Sequence, residues 1–206
     1  MSKNHEHTHN DHEAIVVEDE AGNLEAQIII DALQDVLMAN GLLTAPEVTK
    51  QIEVMEAKGA HLGAKIVAKA WKDPDYKARL LENGKSCIQE IGIPVGEAQI
   101  IVVENTSQVH NLITCTLCSC YPRSILGQPP SWYISKAYRA RSVREPRRVL
   151  AEFGLELPLD IQLIVHDSNA DMRYLVLPQA PENIDDIDLK TAEAMVTRDH
   201  LIGVRR

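Results

Sequence analysis

Apolar residues recur at helical spacing early in the chain. Leu24, Ile28, Ile29, Leu33 and Leu37 share one face of a helix over residues 24–38, and Gly41 stands where a helix C-cap belongs. Thr44 and Glu47 form a capping-box pair around Pro46, which predicts a second helix with Val48, Ile52 and Met55 on one face. Helical runs follow at 65–71 and 75–81, and Cys87 shares another with Ile88 and Ile91. The period changes near Glu97. Residues 100–103 and 109–114 are short stretches of branched apolar residues separated by the turn-prone Glu104-Asn105-Thr106-Ser107, and they predict two strands. Further on, 131–140 and 146–153 read as helices, with 161–165 and 174–177 as strands around the polar turn Asp167-Ser168-Asn169-Ala170. The expected fold is α+β: a helical N-terminal extension followed by a layered α-β-β-α domain.

Composition adds a boundary at the start of the chain. Residues 1–20 carry His5, His7, His9 and His12 among Asn, Asp, Glu and Lys, with almost nothing to bury, and predict a disordered tail. Those histidines could bind divalent metal, adventitiously or in transit to a site elsewhere, but a solvated tail is the simpler reading. Residues 21–95 then form the helical arm and 96–206 the α+β domain. With 206 residues, 45% of them apolar and 25% charged, the chain has the usage of a folded globular protein. A formal net charge of -9 disfavours a phosphate backbone as partner, and the basic run from Arg139 to Arg148 is broken by Glu145 and Pro146. No apolar stretch approaches the roughly 18 to 20 residues of a membrane span, and the polar N-terminus is unlike a signal peptide, so the cytoplasm is the expected compartment.

The candidate chemistry lies in the cysteines. The chain has four, and three of them, Cys115, Cys118 and Cys120, fall within one turn of backbone on a loop leaving a strand. Neighbouring disulfides there would be strained, so in a reducing compartment metal binding or catalysis is the better reading. A bound cation drives thiol deprotonation and turns three ordinary thiols into an electron-rich cage. Structural zinc is the first rival, but it usually takes a fourth protein ligand from a second Cys or His pair, and none is visible. His110 is a poor candidate, since its odd separation from Cys115 along a strand directs the two to opposite faces. Cys87 reads as a buried apolar-like thiol. The alternative of three inert core cysteines does not explain their packing into a tight loop.

The run Cys115-Thr116-Leu117-Cys118-Ser119-Cys120, followed by Tyr121-Pro122, resembles the metal-binding signature of nitrile hydratase α subunits. The resemblance continues through Gly63-Ala64-Lys65, Val102-Val103-Glu104-Asn105-Thr106, Pro130-Ser131-Trp132-Tyr133, Arg173-Tyr174 and Val196-Thr197-Arg198-Asp199, covering most of the chain after the tail. It implies Cys115 as axial thiolate, with the sulfurs of Cys118 and Cys120 and the amide nitrogens of Ser119 and Cys120 in the equatorial plane. In that family the residues matching Cys118 and Cys120 are oxidised to sulfinic and sulfenic acid, a reasonable fate for metal-bound thiolates. Such a donor set suits a small trivalent ion better than zinc. Thr116 and Tyr121 match the cobalt-type pattern, which makes Co(III) the expected ion, one per chain, with Fe(III) as the alternative.

The implied reaction is hydration of a nitrile to its amide. The metal acts as a Lewis acid, and the nitrile carbon is attacked by the Cys120 sulfenate oxygen or by metal-activated water, with Ser119 positioning the loop. The resemblance also implies a β-type partner subunit, or two, that completes the site, and an activator protein that loads cobalt. The apolar faces of the helical arm exceed what a small domain can cover and are expected to wrap that partner. One departure bears on substrate. The family usually has Trp after Tyr-Pro, whereas this chain has Arg123, as in the similar γ subunit of thiocyanate hydrolase. A guanidinium fork at a pocket wall favours an anion such as thiocyanate, unless Arg123 pairs with a carboxylate or extends to water. A third possibility is a metal or redox sensor without enzymatic activity, which would exchange its ion freely and cycle its thiols.

Overall fold

The structure is a computed structural model, and it describes residues 24–96, 98–118 and 120–206. The His-rich tail at 1–20 and Ser119 therefore lie outside the described residues. Two helices open the chain, α1 (Leu24–Ala39) and α2 (Ala45–Glu56). Gly41 takes a left-handed φ of 68° after α1, and the expected capping box is present at α2, with Thr44 and Glu47 bonded reciprocally. No residue of α2 is buried, and Ile28, Ile29, Leu33, Val36, Leu42 and Ile52 are all exposed in the chain alone.

The next three helices, α3 (Ala60–Lys72), α4 (Pro74–Glu82) and α5 (Gly84–Glu90), bury one face each, through residues such as Ile66, Val67, Leu80 and Ile88. Asp73 and Asn83 cap α4 and α5 by accepting from Tyr76 N and Ser86 N. Strands β1 (Gln99–Glu104) and β2 (Val109–Thr114) follow at the expected places. Three short helices lie beyond the cysteines: α6 (Arg123–Leu126), α7 (Ser131–Ile134) and α8 (Lys136–Arg144), then α9 (Pro146–Glu152). The helix expected over 131–140 is broken at Ser135, which is extended (φ -62°, ψ 145°) and caps α8 through Tyr138 N at 3.1 Å. Strands β3 (Gln162–Asp167) and β4 (Met172–Leu177) and helices α10 (Leu189–Met195) and α11 (Arg198–Ile202) complete the chain.

Sequence neighbours do not pair. β1 runs parallel to β4 and β2 parallel to β3, in two separate two-stranded ladders. Helices α4 and α5 pack on β1, α8 on β2, α9 on β3, and α11 on β2 and β4, which agrees with the layered α+β expectation. The chain has only one Phe, two Trp and five Tyr, and most of them gather in one cluster: Tyr121, Trp132, Tyr133, Tyr138 and Phe153. Edge-to-face contacts at centroid distances of 4.8–5.9 Å hold that cluster behind the cysteine loop. Among the described residues no helix is long and apolar enough to cross a membrane.

Candidate metal centre

The cysteine loop begins where β2 stops. The last rung of the parallel ladder sets Thr114 opposite Asp167. The Asp167 carboxylate then reaches past the rung: Oδ1 accepts from the Thr116 amide at 2.9 Å and Oδ2 from the Thr116 hydroxyl at 2.6 Å. Cys115 is fully buried, and its sulfur accepts from Cys118 N at 3.3 Å as the backbone turns over. Leu117 and Cys118 form an exposed tip, and the chain then returns inward to buried Cys120. There the Tyr133 hydroxyl donates to the Cys120 carbonyl at 2.9 Å.

This folding brings the three sulfurs together. Cys115 Sγ lies 3.4 Å from Cys118 Sγ, and Cys118 Sγ lies 3.0 Å from Cys120 Sγ. All three are within 4.8 Å of one another, the one such cluster of His, Cys, Asp or Glu among the described residues. Metal–thiolate bonds run about 2.3 Å, so two sulfurs on one ion sit roughly 3.3 Å apart at a right angle and roughly 3.8 Å apart at the tetrahedral angle. Both observed separations lie nearer the right-angle value. Three sulfurs this close can hold one ion, and with no fourth Cys or His side chain in the cluster among the described residues they do not make a closed four-ligand zinc site.

Without an ion Cys120 is a poor nucleophile. Burial, with hydrogen bonds that the protonated Cys120 thiol makes to the Cys118 and Cys115 sulfurs, pushes the Cys120 thiol up to about 12, against a weaker opposing pull from the Arg173 guanidinium. A cation in the cluster reverses that balance by stabilising the thiolate. His110 takes no part. It is fully buried, its Nε2 is 2.7 Å from Gly203 O and its Nδ1 is 3.3 Å from Asn105 Nδ2, so the Nε2–H tautomer satisfies both neighbours. Cys87 is also buried away from the loop, and burial raises its thiol.

Beside the loop lies a cavity of about 350 Å³ lined by Ile100, Tyr121, Pro122, Arg123, Ala170 and Arg173 among others. Arg123 is exposed here and has no carboxylate partner among the described residues, while Arg173 is half-buried. The dilemma of a buried unpaired arginine thus does not arise within this chain alone. It would arise only beneath a partner. Sequence reasoning missed the two anchors of the loop, Asp167 and Tyr133, and the second guanidinium in the cavity, Arg173. Tyr133 and Arg173 do fall within stretches that carry the family resemblance, but Asp167 reads only as part of a polar turn until the strands are paired.

The chain is similar to known proteins over most of its length. Residues 24–205 match the family described as nitrile hydratase, alpha chain. The chain is 45% identical over 184 residues to the low-molecular weight cobalt-containing nitrile hydratase subunit alpha of Rhodococcus rhodochrous, covering 88% of this chain and 89% of that protein. It is 39% identical to the thiocyanate hydrolase subunit gamma of Thiobacillus thioparus, over 86% of this chain and 78% of the relative. Among solved structures, a double mutant of the Fe-type nitrile hydratase from Comamonas testosteroni Ni1 superimposes with a TM-score of 0.82 at 40% identity, covering 90% of this chain and 91% of that one. With the sulfur cluster in place and the likeness running nearly end to end, the chain belongs to the nitrile hydratase α-chain family.

Proposed function

We propose that the chain is the metal-carrying α subunit of a nitrile hydratase, converting a nitrile to its amide at a cobalt(III) centre held by residues 115–120. The observation that carries this reading is the convergence of Cys115, Cys118 and Cys120 at sulfur separations of 3.0 and 3.4 Å from a single short loop. Ser119 and Cys120 would add their amide nitrogens. When bound, the trivalent ion would supply Lewis acidity toward the nitrile nitrogen. The chain's own residues do the rest. Cys118 and Cys120, as sulfinate and sulfenate, would border the bound substrate, and the Cys120 sulfenate oxygen would face the nitrile carbon. Ser119 would order the loop around the Cys115 sulfur. A β-type partner would close the site and cover the exposed apolar faces of α1 and α2, an activator protein would load the cobalt, and the cytoplasm would keep the thiols reduced before loading.

One observation favours a second substrate. Arg123 and Arg173 line the same cavity, and a pair of guanidinium groups suits an anion such as thiocyanate better than a neutral nitrile. The assembled enzyme should release amide from a nitrile, and peptide mass spectrometry across 115–120 should find two added oxygens on Cys118 and one on Cys120. Arg123→Trp should raise the ratio of nitrile turnover to carbonyl sulfide release from thiocyanate. Zinc in the loop, unmodified thiols in an active preparation, or release of carbonyl sulfide alone would overturn nitrile hydration as the function.

A further inference from the structure

We infer that Asp167 and Tyr133 are positioning residues, a two-point clamp that holds the cysteine loop in its metal-receiving shape. The inference rests on the proposed metal centre and goes beyond it, because neither side chain supplies a ligand. Each end of the loop is pinned by a different part of the fold. At the entrance, both Asp167 oxygens are engaged by Thr116, one with its amide and one with its hydroxyl. That carboxylate arrives through the parallel pairing of β2 with β3, 51 positions along the chain. At the exit, the fully buried Tyr133 donates to the Cys120 carbonyl at 2.9 Å. Its ring is fixed by Tyr121 at 5.0 Å, Trp132 at 5.9 Å and Tyr138 at 5.5 Å. Tyr138 in turn donates to the Ile113 carbonyl at 2.6 Å, so the same aromatic cluster holds the strand that enters the loop and the residue that leaves it.

Between these points the loop runs out to the surface, where Leu117 is 83% exposed. Pinning both ends fixes where the buried Cys115 and Cys120 stand, and ordering donors before a metal arrives removes an entropic penalty from binding. Side chains that orient metal ligands without touching the metal typically account for 10–100-fold in affinity.

The test uses the full chain assembled with its partner subunit and loaded with cobalt. Three variants grade the clamp. Tyr133→Phe keeps the ring and removes only the donor to Cys120, Asp167→Ala removes both acceptors, and Thr116→Val keeps the shape and the amide contact while removing the hydroxyl. Cobalt bound per loop after dialysis against a chelator should show Tyr133→Phe and Asp167→Ala losing the ion about tenfold faster than wild type, with Thr116→Val in between. The sulfur-to-cobalt charge-transfer absorption should shift in the same order, a signature that a general loss of stability would not produce. If Tyr133→Phe fails to assemble, the order of Asp167→Ala against Thr116→Val carries the test alone. Wild-type retention and an unshifted spectrum in the variants would overturn the clamp while leaving the metal centre standing. A wild-type complex that never holds cobalt would overturn both.

Discussion

His110 offers a sharp test of how β2 is held beneath the cysteine loop. Its Nε2–H serves Gly203 O at 2.7 Å, and its Nδ1 accepts from Asn105 Nδ2 at 3.3 Å. The Asn105 amide cannot turn over, because its Oδ1 already accepts from Asn111 N at 2.7 Å and Asn111 Nδ2 at 3.0 Å. A second proton on His110 would therefore point one donor at another. Burial, aided by the nearby Arg206 charge and opposed by the Gly203 bond, lowers its pKa from 6.5. A lowered folded-state pKa means the unfolded chain binds the extra proton first. The stability this histidine contributes is thus fully present above about pH 6.5 and is lost as pH falls through its folded value, at roughly 1.4 kcal/mol per pH unit for one proton.

Replacing His110 with Gln removes the titration and shortens the bridge. One of two buried partners, Gly203 O or Asn105 Nδ2, is left unmatched, which costs about 1–3 kcal/mol near neutral pH. Urea unfolding of the metal-free chain, followed by circular dichroism from about pH 7.5 to pH 5, would give both quantities. Burial also lowers the pKa of His166 and His200, so the wild type alone loses stability in acid for more than one reason, and the difference between the two proteins isolates His110. The gap should close as pH falls below about 6.5, at no more than roughly 1.4 kcal/mol per pH unit. Parallel curves across the whole range would show that His110 is not held neutral, and the assignment of its tautomer would be wrong.

Two further outcomes follow from the same packing. In Gly203→Ala the new Cβ would fall 1.9 Å from Asn111 O at a φ of +89°, so a loss of about 3 kcal/mol or more is expected, read as a melting temperature lower by about 6–12 °C, and an unchanged melting temperature would show that α11 and β2 can separate without penalty. In the metal-free reduced chain at about pH 8, iodoacetamide should label exposed Cys118 at least about tenfold faster than buried Cys120, whose thiol is pushed up to about 12, and equal labelling seen by peptide mapping would contradict the burial of Cys120.

How far the sequence discloses this molecule depends on the distance between the residues involved. The α2 capping box, the Gly41 cap and the limits of β2 are set by neighbours within a few positions, and each stands where the periodicity puts it. The break at Ser135 was not legible, because Ser-Trp-Tyr-Ile-Ser-Lys-Ala-Tyr carries helical spacing throughout. Burial of Trp132, Tyr133 and Tyr138 in a single aromatic cluster decides the break, with Ser135 recruited as a cap. Helices α6, α10 and α11 have four, seven and five residues, about two turns or less, too short for a period to register. Strand partners were equally hidden, since alternation marks a strand and says nothing about which other strand it meets.

The metal site divides along the same line. Its three cysteines lie within six residues and stand out as a cluster, whereas Asp167 and Tyr133, which bond to the loop from β3 and α7, do not. Arg123 was visible as a charged residue in an apolar place, but its surroundings were not: it is exposed and shares a cavity with Arg173 from β4. That exposure bears on catalysis. Attack on a nitrile carbon gains most from charges fixed in a site that excludes water, where electrostatic interactions strengthen several-fold. This chain alone presents the opposite, with Leu117 and Cys118 at the surface and an open cavity beside them. The chemistry proposed for residues 115–120 would therefore need an interface: a second surface laid over Leu117, Cys118 and Arg123 would make the centre dry.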